Sequence, residues 1–526
     1  MNVIEPILPL DDIQGIATPG FFKPQQCLIG LVFPQDKDGL SKIKGLFKAL
    51  EEEISTGRQT LEDRRLFRAN QERALDGKPL LAVGFTARGL RALTPNANSI
   101  PSQAFQQGLA ARSAYLGDPT GKKDEGYPDN WIVGGNKRQL DALFIVAGNT
   151  PESVQDRSDR LMEQCKAAGL KIVYQEKGGV RPDLPGHEHF GFDDGVSQPG
   201  IRGRASEAPD DFITPRSIAP NQMPEHVLYA RPGQDLIWPG VLLLGHPATS
   251  PDPLIPGISS PAVPDWTRNG TFLVFRRLRQ DVGLFWRTLK KEADRLSKQP
   301  GFEGMNDEKL ASRIVGRWPS GAPVNRTPGN DNPDLGKDDN ANNHFRFDSD
   351  TQPLQMSDGT TDSFPQAKAD PVGATCPWAA HIRKVNTRDS ASDTGGREST
   401  YARRLLRIGV PFGLPLKDRY SEPADDPEKG NRGLLFLSIQ ASIEDQFEFL
   451  VTRWMGDPSR PKMPGGHDLL VGQNNAADEK RVRSCVMFGP GFQATNVSTN
   501  AQWIIPTGGD YFFVPSLSAL RNVIAA

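Results

Sequence analysis

Apolar positions along the chain alternate between short continuous runs and helically spaced faces. Leu28 to Phe33 (LIGLVF) is such a run and predicts a strand. Leu40, Ile43, Phe47 and Leu50 follow at helical spacing. Leu143 to Ala147 is a second strand candidate. Thr150 is placed to cap the next helix, with Pro151 at its first position. Val154, Leu161, Cys165 and Ala168 line one face of that helix. Gly169 can end it, and Leu170 to Tyr174 returns as a strand.

The same pieces recur in the second half. Thr271 to Phe275 (TFLVF) and Leu434 to Ile439 (LLFLSI) read as strands. Helical patterns over Leu284 to Leu296 and Ile443 to Trp454 follow them. Strands separated by helices suit parallel βαβ units. They suit two α+β sandwiches with antiparallel sheets equally well. The pattern leaves that choice open.

Between these pieces the composition shifts. Residues 201–265 are rich in Pro, Asp and Gly, and Asn330 to Asn343 is dense in Asn and Asp. Loops of that length usually carry function or wrap around something. The Asn/Asp tract is not a calcium loop, because Pro333 and Leu335 fall where ligands are needed. It is expected to be a solvated loop.

Bulk composition narrows the class. A chain of 526 residues exceeds one ordinary core. The 62 basic and 64 acidic residues leave a formal charge of −2, which gives no general drive toward nucleic acid or membrane. Cys27, Cys165, Cys376 and Cys485 are scattered and form no CxxC or CxxCH, which argues against zinc and covalently attached haem. The start, Met1 to Pro6, has no signal-peptide pattern, and no apolar run reaches the ~18 residues that span a bilayer. A cytoplasmic location is the expectation.

Three segments stand out chemically. His187 to Pro199 reads HEHFGFDDGVSQP and places Asp193 and Asp194 between Gly191 and Gly195. Asp-Gly alone signals a turn. Flanking Phe190 and Phe192 would partly desolvate the carboxylates, which favours acid/base use. His381 follows the apolar Cys376-Pro377-Trp378-Ala379-Ala380 and precedes Ile382-Arg383-Lys384. An imidazole between an apolar wall and cations suits haem b. Tyr401 to Gly413 (YARRLLRIGVPFG) sets Arg403, Arg404 and Arg407 among apolar residues, so at least one arginine is expected to point inward.

Together these segments resemble the dye-decolorising peroxidase family in its longer, fungal-like subclass. The opening LDDIQG (Leu10 to Gly15) and the C-terminal GGDYFFVPS (Gly508 to Ser516) extend the resemblance over most of the chain. GxxDG alone is weak, but the ordered set of five motifs is strong. The resemblance implies an α+β fold of duplicated ferredoxin-like domains, of the dimeric α/β-barrel type, with antiparallel sheets and peripheral helices. Residues 1–220 would form the N-terminal domain carrying GxxDG, and residues 221–526 the C-terminal, haem-binding domain with long loops. It also implies a haem b peroxidase that reduces hydrogen peroxide and oxidises small aromatic donors, dyes included, through an oxoferryl porphyrin radical. By position, Asp194 is the distal acid/base, Arg407 the charge stabiliser, with Arg403 as fallback, and His381 the iron ligand. A proximal imidazole usually donates its other N–H to a carboxylate. Asp468 is the favoured partner over Glu444 and Asp445. Arg383 is a propionate-binding candidate, and His189 is expected to contact a propionate or the pocket wall. Phe412 stands where some relatives have a radical-forming tyrosine, and Trp454 where some have a surface tryptophan, although core packing is its plainer reading. A haem carrier or haem-iron-releasing protein on the same fold is the alternative. A haem-free α+β protein is the third reading.

Overall fold

Each half of the chain builds four positions of one antiparallel sheet in the same spatial order. The computed structural model describes residues 3–69, 77–258, 262–426, 428–474, 481–489, 491 and 493–526. The first half supplies β1 (Gln25–Val32), β2 (Leu80–Phe85), β3 (Ala142–Gly148) and β4 (Lys171–Gly179). Two short strands follow, β5 (Gly200–Ile201) and β6 (Leu236–Ile237). The second half supplies β7 (Thr271–Gln280), β8 (Leu406–Arg407), β9 (Val410–Phe412) and β10 (Gly433–Gln440). A separate hairpin, β11 (Arg483–Phe488) and β12 (Ala494–Thr499), precedes β13 (Ile504–Val514).

The sheet order is β4-β1-β3-β2-β13-β7-β10-β8, with β9 also paired to β10. The open choice at the sequence level is therefore settled as antiparallel. The reason is topological. The crossover from β1 to β2 skips one position, and β3 fills it running the other way. The crossover from β3 to β4 likewise leaves room for β1. In the second half β13-β7-β10-β8/β9 repeats this ferredoxin-like order.

Helices follow the expected faces closely. Helix Pro151–Ala167 starts where Thr150 accepts the Ser153 N–H, and Pro151 occupies its first turn. Helix Lys37–Leu50 buries Ile43, Phe47 and Leu50. These meet Cys27, Ile29, Leu31, Phe144 and Val146 on the outer face of the sheet. The inner face carries a second core of Leu28, Leu143, Ile145, Tyr174, Phe275, Leu437 and Phe512. The helix expected over Ile443 to Trp454 is present as two wide π-helical runs, Ile443–Glu448 and Leu450–Met455. Among the described residues no helix is long and apolar enough to cross a membrane.

The two halves meet at both ends of the sheet. At one seam Phe85 of β2 pairs with Phe513 of β13. At the other, β4 approaches β9: a Cβ on Gly178 would fall 2.5 Å from Val410 Cγ2 and 2.9 Å from the Pro411 carbonyl oxygen. Gln26 Nε2 donates to the Ile408 carbonyl at 2.9 Å beside this seam. Across the interior, Arg277 of β7 donates to both Glu176 oxygens of β4, at 2.6 and 2.8 Å.

The Asn/Asp tract is only partly the solvated loop its composition suggests. Pro333–Lys337 is a short helix, and Asn342 and Asn343 are buried. Arg317 donates to the Asn342 carbonyl and to Asn343 Oδ1, so the polarity serves internal hydrogen bonds.

Gly178→Ala tests the second seam. It should destabilise the protein by about 1–3 kcal/mol through overpacking, read as a lower denaturation midpoint.

Candidate active site

The GFDDG turn is a short, tightly bonded loop after β4. Gly191 and Gly195 have φ of 98° and 84°, which explains a glycine at each end. The Glu188 carboxylate accepts the N–H groups of Phe190 (2.8 Å) and Phe192 (2.9 Å) and also a Gln280 donor. Burial pushes the Glu188 carboxyl up, and those donors oppose it. Phe190 and Phe192 are buried, as their flanking position suggested.

The turn presents Asp194 to Arg407. Arg407 Nη1 lies 3.1 Å from Asp194 Oδ1, with both side chains about one-third exposed. The Gly195 N–H donates to the same oxygen at 2.7 Å. Arg407 Nη2 donates to the Ser197 carbonyl at 3.0 Å. Gln198 then clamps the Arg407 backbone from both sides, accepting its N–H (3.1 Å) and donating to its carbonyl (3.0 Å). Sequence reasoning passed over Gln198, although it lies inside the quoted HEHFGFDDGVSQP stretch.

Asp193 behaves differently from its neighbour. Its N–H donates to the Pro319 carbonyl, and its carboxylate faces Gly321. Burial pushes the Asp193 carboxyl up to about 6, His187 and Arg317 oppose the shift, and the Asp194 charge adds to it. It therefore braces the turn against loop 316–324.

His381 opens a five-residue helix, His381–Val385. Its Nδ1 lies 2.7 Å from Asp468 Oδ2. Asp468 is wholly buried, and its other oxygen accepts the N–H groups of Leu470 and Val471. A carboxylate there makes Nδ1 the donor and leaves the Nε2 lone pair free. Nε2 makes no hydrogen bond among the described residues, and the ring keeps one-quarter of its surface exposed. Glu444, one of the other carboxylates weighed for this role, instead caps Ser102 and Ala104. The other, Asp445, lies against Arg403.

Two contacts tie the histidine segment to the Asp194–Arg407 pair. Gly316, at φ 97°, lets loop 316–324 pack on Ile382, where a Cβ would fall 2.4 Å from Cγ1; the same loop receives Asp193. Asn386 Oδ1 accepts from Arg404 Nη2 at 2.8 Å, just ahead of Arg407 in β8. Asn386 was another residue sequence reasoning missed.

The remaining arginines separate cleanly. Arg404 is the inward one, paired with buried Asp235. Arg403, the fallback, lies over Phe449 and donates to the Asp445 carbonyl, away from Asp194. Arg383 is not brought to the open side of His381. It is wholly buried, donates to Asp370 and the Cys376 carbonyl, and is sandwiched by Trp378 and Phe347. His189 is buried too, with Nε2 2.8 Å from the Phe412 carbonyl. Among the described residues its buried Nδ1 has no partner, and the ring braces β9 rather than presenting a free cation. Trp454 is fully buried, with Nε1 donating to Asp393, so its plainer reading as core holds.

A cavity of about 390 Å³ opens directly on Asp194 and Arg407. Phe21, Phe22, Pro24, Val410, Pro411 and Phe436 supply its apolar wall. Among the described residues no group of three or more His, Cys, Asp or Glu could hold a metal ion by itself. A single backed imidazole with a free Nε2 fits instead a metal whose other ligands come with a macrocycle.

Comparison with known proteins places the chain among characterised relatives. Residues 12–182 match the family described as the DyP dimeric alpha+beta barrel domain. The chain is 30% identical over 467 residues to the dye-decolorizing peroxidase msp1 of Mycetinis scorodonius, covering 87% of this chain and 79% of that one. It is 29% identical over 536 residues to the multifunctional dye peroxidase DyP2 of an Amycolatopsis species, covering 98% and 96%. Among solved structures, an ancestral D-type dye decolorizing peroxidase superposes with a TM-score of 0.76 at 30% identity, covering 99% and 100%. A dye-decolorizing peroxidase in complex with 2,6-dimethoxyphenol gives 0.72 at 26%, with the same coverage.

His189 yields a pH test. Burial holds its imidazole down at about 4, from an ordinary 6.5. Between those values the unfolded chain binds the proton that folded His189 refuses, so this residue makes stability rise with pH across that window and penalises the fold fully below it. His189→Gln keeps an N–H donor and removes the titration. The stability gained from pH 4 to 6.5, read from denaturant midpoints, should shrink by up to about 3 kcal/mol.

Proposed function

The chain belongs to the dye-decolorizing peroxidase family and is a peroxidase of that type, and from this premise we propose that it binds haem b through His381 and oxidises aromatic donors with hydrogen peroxide. One observation carries the proposal: a carboxylate-backed imidazole with a free Nε2, tied by two contacts to an Asp194–Arg407 pair that opens on a cavity. Residues 1–220 are assigned as the domain that brings the GxxDG turn. Residues 221–526 are assigned as the one that brings His381, Asp468 and Arg407.

Haem bound at His381 would supply a redox-active iron. The protein supplies the proton chemistry and the field. The Asp468 carboxylate fixes the ring tautomer and makes the imidazole a stronger donor to the metal. Asp194 as carboxylate takes one proton from hydrogen peroxide and delivers it to the departing oxygen, which leaves as water. The Arg407 guanidinium stabilises the negative charge that develops as the O–O bond lengthens. Its anchoring by Ser197 and Gln198 means little reorganisation accompanies that step. The apolar wall of the cavity accommodates a small aromatic such as 2,6-dimethoxyphenol, the molecule bound in the solved relative.

Two measurements test the reading. His381→Ala should abolish or loosen haem uptake, seen as a lost or shifted Soret band during haem titration. Unchanged ligation would move the ligand elsewhere. In haem-loaded protein, Asp194→Asn and Arg407→Leu should each slow the peroxide-induced Soret change, by about 10²–10⁴ and 10²–10³ respectively. Wild-type rates in both variants would overturn the assignment of the pair.

A further inference from the structure

Helix His381–Val385 sends two side chains into the same segment of chain. His381 and Lys384 stand three residues apart and so share one of its faces. His381 Nδ1 meets Asp468 Oδ2 at 2.7 Å. Lys384 is wholly buried, and its ammonium donates to the carbonyls of Asp457 (3.0 Å) and Arg460 (2.5 Å). The segment that receives both is folded back on itself. The Asp468 N–H donates to the Met455 carbonyl, and the Gly466 N–H to the Pro458 carbonyl.

A second buried cation reaches this segment just beyond Asp468. Arg483 of β11 donates to the carbonyls of Leu469 (3.0 Å) and Gly472 (2.8 Å). Among the described residues neither Lys384 nor Arg483 is paired with a carboxylate; both spend their N–H groups on backbone carbonyls. Burial pushes the Lys384 ammonium down to about 8 and the Arg483 guanidinium down to about 10, and the Asp468 charge is the first to oppose each shift.

The other groups nearby supply little countercharge. The Asp457 carboxylate binds Ser459 and is partly exposed. Burial pushes the Cys485 thiol up to about 12, which keeps it neutral. His467 meets the Ser484 backbone through Nδ1, and burial holds its imidazole down. One buried carboxylate therefore serves the Nδ1–H of His381 and two carbonyl-bound cations at once.

We propose that Lys384 is a positioning residue that acts through Asp468, with Arg483 as its second, and that together they limit how strongly the carboxylate draws the proton from His381 Nδ1. The inference rests on the reading of His381 as the haem ligand. A carboxylate without cations behind it would pull that proton further, give the imidazole more imidazolate character and strengthen its donation through Nε2. Buried cations oppose the pull because charges interact strongly where water is excluded. Axial-ligand strength is one of the levers by which a protein sets a haem reduction potential. The two cations therefore hold the potential up, and a higher potential makes the peroxide-oxidised centre a stronger one-electron oxidant of its donors.

The test uses the haem-loaded full chain at about pH 6, where the lysine carries its charge. Lys384→Gln keeps N–H donors for the two carbonyls and removes the charge. It should lower the ferric/ferrous reduction potential and raise the iron–imidazole stretching frequency of the ferrous protein in resonance Raman spectra. Arg483→Gln should shift both in the same directions. Lys384→Arg, which keeps the charge, should stay near wild type. In an Asp468→Asn background, Lys384→Gln should lose most of its effect on the stretching frequency. In haem-free protein isotope-labelled at histidine, the His381 Nδ1–H signal should move downfield in Lys384→Gln. An unchanged or raised potential in Lys384→Gln, or equal shifts in Lys384→Gln and Lys384→Arg, would overturn the proposal. So would a frequency shift that survives in full without the Asp468 carboxylate. If haem does not ligate His381 in the wild type, the haem reading fails, while the Nδ1–H signal of the haem-free protein still decides whether Lys384 acts on Asp468.

Discussion

The closing of the sheet on itself is the constraint on which the site depends. An antiparallel sheet with two free edges leaves two rows of unpaired backbone groups. Here the halves pair at β2 and β13, and β4 approaches β9 at the other end. The segment leaving β4 carries the GFDDG turn, and the strand just before β9 carries Arg407. Bringing those edges together therefore also brings Asp194 within 3.1 Å of an arginine 213 residues later. The Arg277–Glu176 bridge inside the barrel fastens β7 to β4, so the pair inherits the rigidity of the core.

The histidine side follows a different logic. Its helix is too short to be stable alone, and its position comes from buried polar partners together with the packing of Ile382. Asp468 orients the ring, loop 316–324 supports Ile382, and Asn386 reaches Arg404. The first two of these links cross between segments that are distant in the chain. The price of burying so many charged groups is met by pairing, as with Arg383 and Asp370 or Arg404 and Asp235.

Local physics made much of the fold legible. Long apolar runs and a Thr-Pro cap located β1, β3, β4, β7, β10 and the helices Lys37–Leu50, Pro151–Ala167 and Val282–Leu296, with β4 and β7 running five residues past their expected ends. The strand Leu80–Phe85 went unnoticed, although its apolar run is as long as those that were read as strands. Parallel and antiparallel arrangements share one sequence pattern, since strand direction is set by which crossover skips a neighbour. At the site, the motifs singled out Asp194, Arg407, His381 and Asp468. Arg383 and His189 sit in equally suggestive positions, yet both face inward to structural partners. Side-chain direction in a short helix or an irregular turn depends on tertiary contacts such as Asp370 and the Phe412 carbonyl, which no local pattern encodes. Gln198 and Asn386 escaped notice because a neutral amide carries no chemical signature until its partners are known.

The most direct measurement is diffraction from haem-loaded crystals at the iron absorption edge. An anomalous peak at coordinating distance from His381 Nε2, with Asp194 and Arg407 on the opposite side of the metal, is the expected result. A peak at coordinating distance from another side chain, and not from His381 Nε2, would contradict the proposed site.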